Sequence, residues 1–159
     1  MRNYRKKLII WLFENSQHFY VTYFKRNHTA WKVSKQELLN YTKESFGYHL
    51  GLFLKKNNFE LIPKIERHDC YHVLTGYGTQ VEDEIALQYL CYGNGKRSLY
   101  LSGVVLLGTI LLPEYMPYYL KSYRIGKSAN AFYQFDYSTL LHTDIGILRA
   151  STFVNLIYN

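Results

Sequence analysis

Residues 67–84 read RHDCYHVLTGYGTQVEDE, and they combine two histidines, a turn with two glycines and a group of acids. On an α-helix, which turns about 100° per residue, His68, Asp69 and His72 lie within one arc of about 100°. This helix is expected to end at Gly76, because glycine readily takes the left-handed conformation that follows many helix C-termini. The sequence therefore predicts a helix with one polar face, followed by a short turn.

The acids after the turn predict a second helix that runs antiparallel to the first. Thr79 and Glu82 have the spacing of a capping box, so this helix is expected to begin at Thr79. A rise of about 1.5 Å per residue, counted back from Gly76 and forward from Thr79, places His72 and Glu84 at nearly the same level. The hairpin can therefore bring Glu84 to the face that holds the histidines.

Two imidazoles and two carboxylates on one hairpin suit a divalent metal ion. His68, Asp69, His72 and Glu84 offer ligands that bind zinc, or iron or manganese where further coordination positions stay open. A simpler interpretation is two surface histidines one turn apart and acids at the positively polarised start of a helix. The residues alone leave both interpretations open, and they indicate no catalytic group beyond these four.

Most of the remaining chain has helical periodicity. Ser34 and Glu37 form a capping box, and residues 45–57 repeat apolar side chains at helical spacing and end in lysines. The run 98–113, SLYLSGVVLLGTILLP, has no charged residue. Because it falls short of the roughly 20 residues that span a bilayer, it predicts a buried central helix. We therefore predict an all-α helical bundle with a central antiparallel helical hairpin, which carries the candidate metal site.

The length and composition favour one globular domain. The chain is long enough to bury a core without disulfide bonds, and 48% of its residues are apolar. We expect a single domain over residues 1–159, with a basic N-terminal segment at 1–33 and a helical core at 34–150. Cys70 and Cys91 are too few for a disulfide framework, so a reducing compartment such as the cytoplasm is expected.

The basic residues are concentrated near the N-terminus. Residues 1–35 hold eight basic residues and one acid, which accounts for the whole formal charge of +7. The neutral remainder argues against nucleic-acid binding. The apolar run at 8–13 is too short for the core of a signal peptide. A helix there groups Leu8, Trp11 and Leu12, which suits either an anionic membrane surface or packing on the core with the lysines in water.

The motif His68-Asp69-x-x-His72, followed by eleven residues and Glu84, resembles the signature of the coenzyme Q biosynthesis protein 4 family. The neighbouring letters HVLTGYGT and EIAL are similar to that family, and so is the C-terminal run YRIGKSANAFYQFDYSTLLHTDIGILR. The resemblance covers roughly residues 35–150.

This resemblance implies an all-α fold and one divalent metal ion, expected to be zinc with iron or manganese as alternatives, held by His68, Asp69, His72 and Glu84. It implies peripheral attachment to the inner face of the membrane and work on a prenylated quinone precursor during ubiquinone synthesis. The implied activity is a lyase-type one, the metal-dependent oxidative decarboxylation or hydroxylation of a prenylated hydroxybenzoate-type ring. A role in assembling other quinone-biosynthesis proteins is also implied, and a homo-oligomer is compatible with it.

The C-terminal run departs from the family pattern. Ile125 and Lys127 stand where the family has arginines, and Tyr137-Ser138 replaces the usual Trp-Glu. Arg124 and Lys127 are the expected contacts of a carboxylate or phosphate head group, with simple surface solvation as the alternative. These departures affect the expected identity of the substrate head group more than the expected binding of the metal.

Two other function classes stay open. A non-catalytic scaffold that binds prenyl lipid and organises quinone-biosynthesis enzymes is the main alternative, and a hydrolase of phosphorylated prenyl lipids is the third. The seventeen tyrosines and the apolar segment 98–120 suit a tunnel for a lipid tail, since tyrosine has an apolar body and a polar tip. They suit an ordinary aromatic core equally well.

Overall fold

All regular structure in the described part of the chain is helical. The structure is a computed structural model that describes residues 3–12, 15, 31–62 and 66–154. Within those ranges it contains no β-strand, only one isolated bridge between Ser45 and Asp144. The predicted all-α class is confirmed. Residues 1–2, 13–14 and 16–30 of the predicted basic segment lie outside the described residues.

The helices of the described residues are numbered in chain order. In chain order they are α1 at residues 3–12, α2 (Lys35–Leu38), α3 (Phe46–Asn57), α4 (Glu66–Thr75), α5 (Val81–Gly93), α6 (Leu99–Leu111), α7 (Met116–Ser128) and α8 (Ile145–Thr152). Two 3-10 turns, Pro113–Tyr115 and Phe132–Gln134, lie before and after α7.

Side-chain caps explain several helix starts. The predicted capping box of Ser34 and Glu37 is present, although α2 is only one turn long. Ser45 and Asp144 accept hydrogen bonds from the first-turn amides of α3 and α8, which satisfies donors that have no partner within the helix. The same two residues form the isolated bridge, so the starts of α3 and α8 are held together.

The hairpin of α4 and α5 is present, but its second helix begins later than predicted. The residue before α5 is Gln80, which makes no side-chain cap. The Thr79 hydroxyl lies 3.3 Å from the Asn57 side-chain oxygen, and the Glu82 carboxylate pairs with Lys6 at 2.6 Å. The predicted capping box of Thr79 and Glu82 is therefore wrong, because both side chains bind partners far away in sequence.

Helices α5 and α7 pack with their backbones in close approach. A Cβ atom added at Gly126 of α7 would overlap the carbonyl oxygen of Leu90. One added at Gly93 of α5 would overlap the carbonyl oxygen of Tyr123 in the same way. Glycine at both positions therefore lets α7 lie directly against the helix that carries Glu84.

The expectation that residues 98–113 form a buried central helix is wrong. Helix α6 forms there, but its buried residues are only Leu101, Val104 and Gly108. The exposed large apolar side chains, here called the apolar outer face, are Leu99, Leu106, Leu107 and Ile110. A run without charged residues does not reveal which side packs on the protein, so the sequence could not show this exposure.

No single described helix is long and apolar enough to cross a membrane. Helix α6 passes that test only together with Pro113–Ser128, and the two parts are bent by 102°.

Helix α1 is attached to the body of the protein by ion pairs and one buried side chain. The Arg5 guanidinium pairs with Glu114 at 2.9 Å, and Ile9 is buried. Leu8 and Trp11, which the sequence groups on one face of this helix, are exposed. The structure therefore places part of the basic segment on the protein while leaving two of its large apolar side chains in solvent.

Candidate metal centre

Three side chains with metal-binding atoms meet between α4 and α5. His68 and His72 lie one turn apart on α4, and Glu84 lies in the first turn of α5. The Glu84 carboxylate spans both rings: Oε2 is 3.3 Å from His68 Nε2, and Oε1 is 3.2 Å from His72 Nε2. One ligand atom from each residue lies within 4.8 Å of the other two. This group could hold a metal ion.

Asp69 lies beside this group and is not part of it. Its Oδ1 is 3.8 Å from His68 Nδ1, which is the nitrogen of His68 that does not face Glu84. That distance is too long for a hydrogen bond, but the carboxylate is placed where a group that orients a ligating histidine is usually found. Its role as a fourth ligand stays a prediction.

The orientation of the His72 ring follows from the turn after α4. His72 Nδ1 lies 3.1 Å from the backbone oxygen of Tyr77, and since a carbonyl can only accept, Nδ1 carries the hydrogen. Nε2 is therefore the nitrogen that faces Glu84 and can bind a metal. Gly76, with φ of +77°, turns the chain back so that the Tyr77 carbonyl reaches the ring. The Phe53 ring stacks on His72 with centroids 5.2 Å apart.

The electrostatics of the group also suit a cation. Burial lowers the pKa of His68, but the Asp69 and Glu84 carboxylates outweigh that effect and raise the pKa to about 9. Burial raises the pKa of Glu84, while the adjacent His68 and His72 rings outweigh it and hold the pKa well below its usual value. Without a metal, a proton between His68 and Glu84 neutralises this contact. A metal ion would take the place of that proton.

The donor set and its exposure fit an open metal site. Two imidazole nitrogens and one carboxylate are the ligands of many catalytic zinc sites, which keep a fourth position for water or substrate. The His72 side chain is 1% exposed, whereas Glu84 is 22% and His68 is 36% exposed. The site is therefore closed on the His72 side and accessible beside His68.

Helix α7 supports the turn that orients His72. The Tyr77 hydroxyl donates to Ser122 Oγ at 2.7 Å, and the Tyr118 hydroxyl donates to Asp83 Oδ1 at 2.9 Å. The rings of Tyr77 and Tyr118 stack with centroids 6.0 Å apart. This network could not be predicted from the sequence, because Ser122 and Tyr118 are far from the motif and no local spacing indicates the contact.

Gln88 is a second residue that the sequence analysis missed. It lies one turn after Glu84 on α5, it is buried, and its Nε2 is 3.5 Å from His68 Nε2. Spacing could have revealed it, since residues four apart on a helix lie on the same face.

The predicted substrate contacts Arg124 and Lys127 are exposed on α7. The structure brings neither into the group of three ligands, and their role in binding stays a prediction. Two of the departures from the family pattern are better explained by packing. Tyr137 is fully buried and donates to the Phe132 carbonyl oxygen, and Ile125 packs against the main core.

Comparison with known proteins identifies the family. Residues 62–157 match the family described as "Coenzyme Q (ubiquinone) biosynthesis protein Coq4", a match that includes the whole hairpin and more than half of the chain. The fold is similar to a crystal structure of a candidate ubiquinone biosynthesis protein from Nostoc punctiforme PCC 73102, with a TM-score of 0.67 and 18% identity over 80% of this chain and 71% of that chain. A search of curated proteins gave no match. The chain belongs to the Coq4 family of coenzyme Q (ubiquinone) biosynthesis proteins.

Proposed function

We propose that this protein carries out a metal-dependent step on a prenylated hydroxybenzoate-type ring, the oxidative removal of the ring carboxyl, at the inner, cytoplasmic face of a membrane. The observation that carries the proposal is the meeting of His68, His72 and Glu84 atoms within 4.8 Å of one another. Membership of the Coq4 family indicates that the pathway is ubiquinone synthesis.

The three side chains define what a bound metal would do. His68, His72 and Glu84 would hold it, and it would supply a positively charged centre that binds and polarises an oxygen of the ring substituents. The chain itself contributes the orientation of His72 through the Tyr77 carbonyl and the exclusion of water on the buried side.

The identity of the metal would distinguish a catalytic protein from a non-catalytic scaffold. Replacing a ring carboxyl by a hydroxyl consumes dioxygen, two electrons and two protons and releases CO2 and one water, since only one oxygen atom of dioxygen enters the ring hydroxyl. Zinc does not change its oxidation state, so a zinc-containing protein would bind and present the ring while a partner enzyme oxidises it. Iron or manganese at the same ligands would allow the oxidation to occur here. The scaffold is therefore the second candidate, favoured if the metal is zinc.

The apolar outer face of α6 supports action at a membrane. Leu99 is 82% exposed and Ile110 is 64% exposed. Helix α6 has no charged residue that would separate these apolar side chains. Large exposed apolar patches mark interaction sites. A substrate with a prenyl tail resides in the bilayer, so an enzyme that acts on its ring benefits from a surface of this kind.

The test is complementation of cells that lack the protein, with analysis of their prenylated lipids. The deletion should accumulate a prenylated ring that still carries its carboxyl. Glu84→Gln should fail to restore quinone synthesis, because it removes a charged ligand. Glu60→Gln is the matched control, since Glu60 is an exposed acid that pairs with Lys35, and it should restore synthesis fully. Normal quinone levels in the deletion, or full rescue by Glu84→Gln, would contradict the proposal.

A further inference from the structure

Gln88 borders the space between the candidate metal ligands. It follows Glu84 by one helical turn, so both side chains leave α5 on the same face. Its side-chain Nε2 lies 3.5 Å from His68 Nε2, the same nitrogen that lies 3.3 Å from Glu84 Oε2. With 7% exposure, Gln88 is a buried amide directed toward the ligand atoms.

The contact with His68 does not satisfy this amide. A nitrogen-to-nitrogen distance of 3.5 Å is longer than that of a good hydrogen bond, and Glu84 contacts the same ring nitrogen at shorter range. Among the described residues, the Gln88 side chain makes no hydrogen bond other than this contact with His68. Buried amides normally have close partners for their donors, so Gln88 is placed for a partner that enters the site.

We propose that Gln88 binds substrate, with its amide N–H donating to an anionic oxygen of an aromatic carboxylate held at the metal site. The inference rests on the proposed function, since it requires a metal ion at His68, His72 and Glu84. It extends that function by naming a substrate-binding residue and the chemical group that it recognises.

The chemistry of the amide favours this role over direct ligation. Whether His68 Nε2 binds a metal ion or, without one, the proton that it shares with Glu84, its lone pair is in use, so it offers the Gln88 amide no acceptor. A neutral amide is not among the usual protein ligands of zinc. A fixed N–H donor beside a cation is instead a common way to hold a negatively charged oxygen.

The experiment uses the full chain loaded with cobalt(II), whose visible absorption reports the coordination of the metal. The probe is 4-hydroxybenzoate, titrated against that absorption. Gln88→Leu removes the donors at similar side-chain size, and Gln36→Leu, at an exposed position on α2, is the matched control. Gln88→Asn keeps an amide on a side chain that is shorter by one methylene. This variant replaces Gln88→Leu in the titration if Gln88→Leu fails to fold.

We expect wild type, Gln88→Leu and Gln36→Leu each to bind about one cobalt. The affinity for 4-hydroxybenzoate should fall about tenfold or more in Gln88→Leu, because a hydrogen bond to a charged group is lost, and Gln88→Asn should also bind it more weakly. Gln36→Leu should match wild type.

Three results would overturn the inference alone: equal affinity for 4-hydroxybenzoate in Gln88→Leu and wild type, loss of cobalt from a folded Gln88→Leu, or no response of cobalt-loaded wild type to the probe. Failure of wild type to bind cobalt would instead remove the metal site itself, and with it both the proposed function and this inference.

Discussion

At the scale of single residues, the candidate centre depends on protons that a metal ion must displace. The pKa of His68 is raised to about 9, so this imidazole carries a proton at neutral pH that competes with the metal. The apparent affinity for zinc should therefore rise with pH up to about 9, by about tenfold per unit for one displaced proton. Competition with a chromophoric chelator between pH 6.5 and 8.5 measures this slope, and an affinity independent of pH would contradict it.

Asp69→Asn tests the place of that carboxylate in the same titration. If Asp69 only raises the pKa of His68, the variant keeps its metal and the rise in affinity ends at a lower pH. Loss of the metal would show that Asp69 moves from its position beside His68 Nδ1 and serves as a ligand.

The hydroxyl contact between Tyr77 and Ser122 should stabilise the turn that orients His72. Tyr77→Phe and Ser122→Ala should each lower the free energy of unfolding, and the pair should show a coupling energy of about 1 kcal/mol in a double-mutant cycle. Urea unfolding measures it. Ser102→Ala, at an exposed position on α6, is the control and should have little effect. Strict additivity of the Tyr77 and Ser122 changes would show that the bond contributes nothing.

At the scale of helices, the close approach of α5 and α7 makes Gly126 sensitive to substitution. Gly126→Ala should destabilise the protein by several kcal/mol, about 3 or more, since its Cβ would overlap backbone rather than a flexible side chain. Gly103→Ala on α6 is the matched control, because nothing lies within 4 Å of the added Cβ. It should stabilise the helix by up to about 1 kcal/mol through helix propensity. Equal effects of the two substitutions on urea unfolding would contradict the close packing.

The same scale shows what the sequence could and could not predict. The periodicity of residues 67–84 was enough to predict the hairpin and the level at which Glu84 meets His72, because rise and turn per residue are fixed in a helix. The start of α5 was predicted wrongly, since Thr79 and Glu82 bind partners from other helices. Contacts of that kind depend on tertiary packing, which local spacing does not contain.

At the scale of the whole molecule, the apolar outer face of α6 should mediate membrane binding. Leu106→Ser with Ile110→Ser should weaken binding to phosphatidylcholine–phosphatidylglycerol vesicles by about tenfold or more, because each large apolar side chain contributes roughly 1.5–3 kcal/mol when removed from water. Ile147→Ser is the matched control, since Ile147 is similarly exposed but lies on α8. Vesicle sedimentation measures binding. Wild-type protein that stays in solution, or a double variant that binds normally, would contradict this role.

The exposure of the apolar outer face of α6 could not be predicted from the sequence either. The run 98–113 has no charged residue, so burial and a membrane-facing surface produce the same pattern. The fold class, by contrast, followed from helical periodicity along the chain, and the family was indicated by the resemblance of the motif His68-Asp69-x-x-His72 with Glu84, and of the neighbouring letters, to the family's sequences.

The most direct test of the central claim is elemental analysis of the purified protein beside His72→Ala, Glu84→Ala and the control Glu60→Ala. Wild type and Glu60→Ala should contain about one equivalent of a divalent metal, because three ligands on a folded hairpin form a complete protein donor set. His72→Ala and Glu84→Ala should lose it while remaining folded. Absence of metal from wild type after loading with zinc, iron or manganese, or its retention in both variants, would contradict a metal centre at this hairpin.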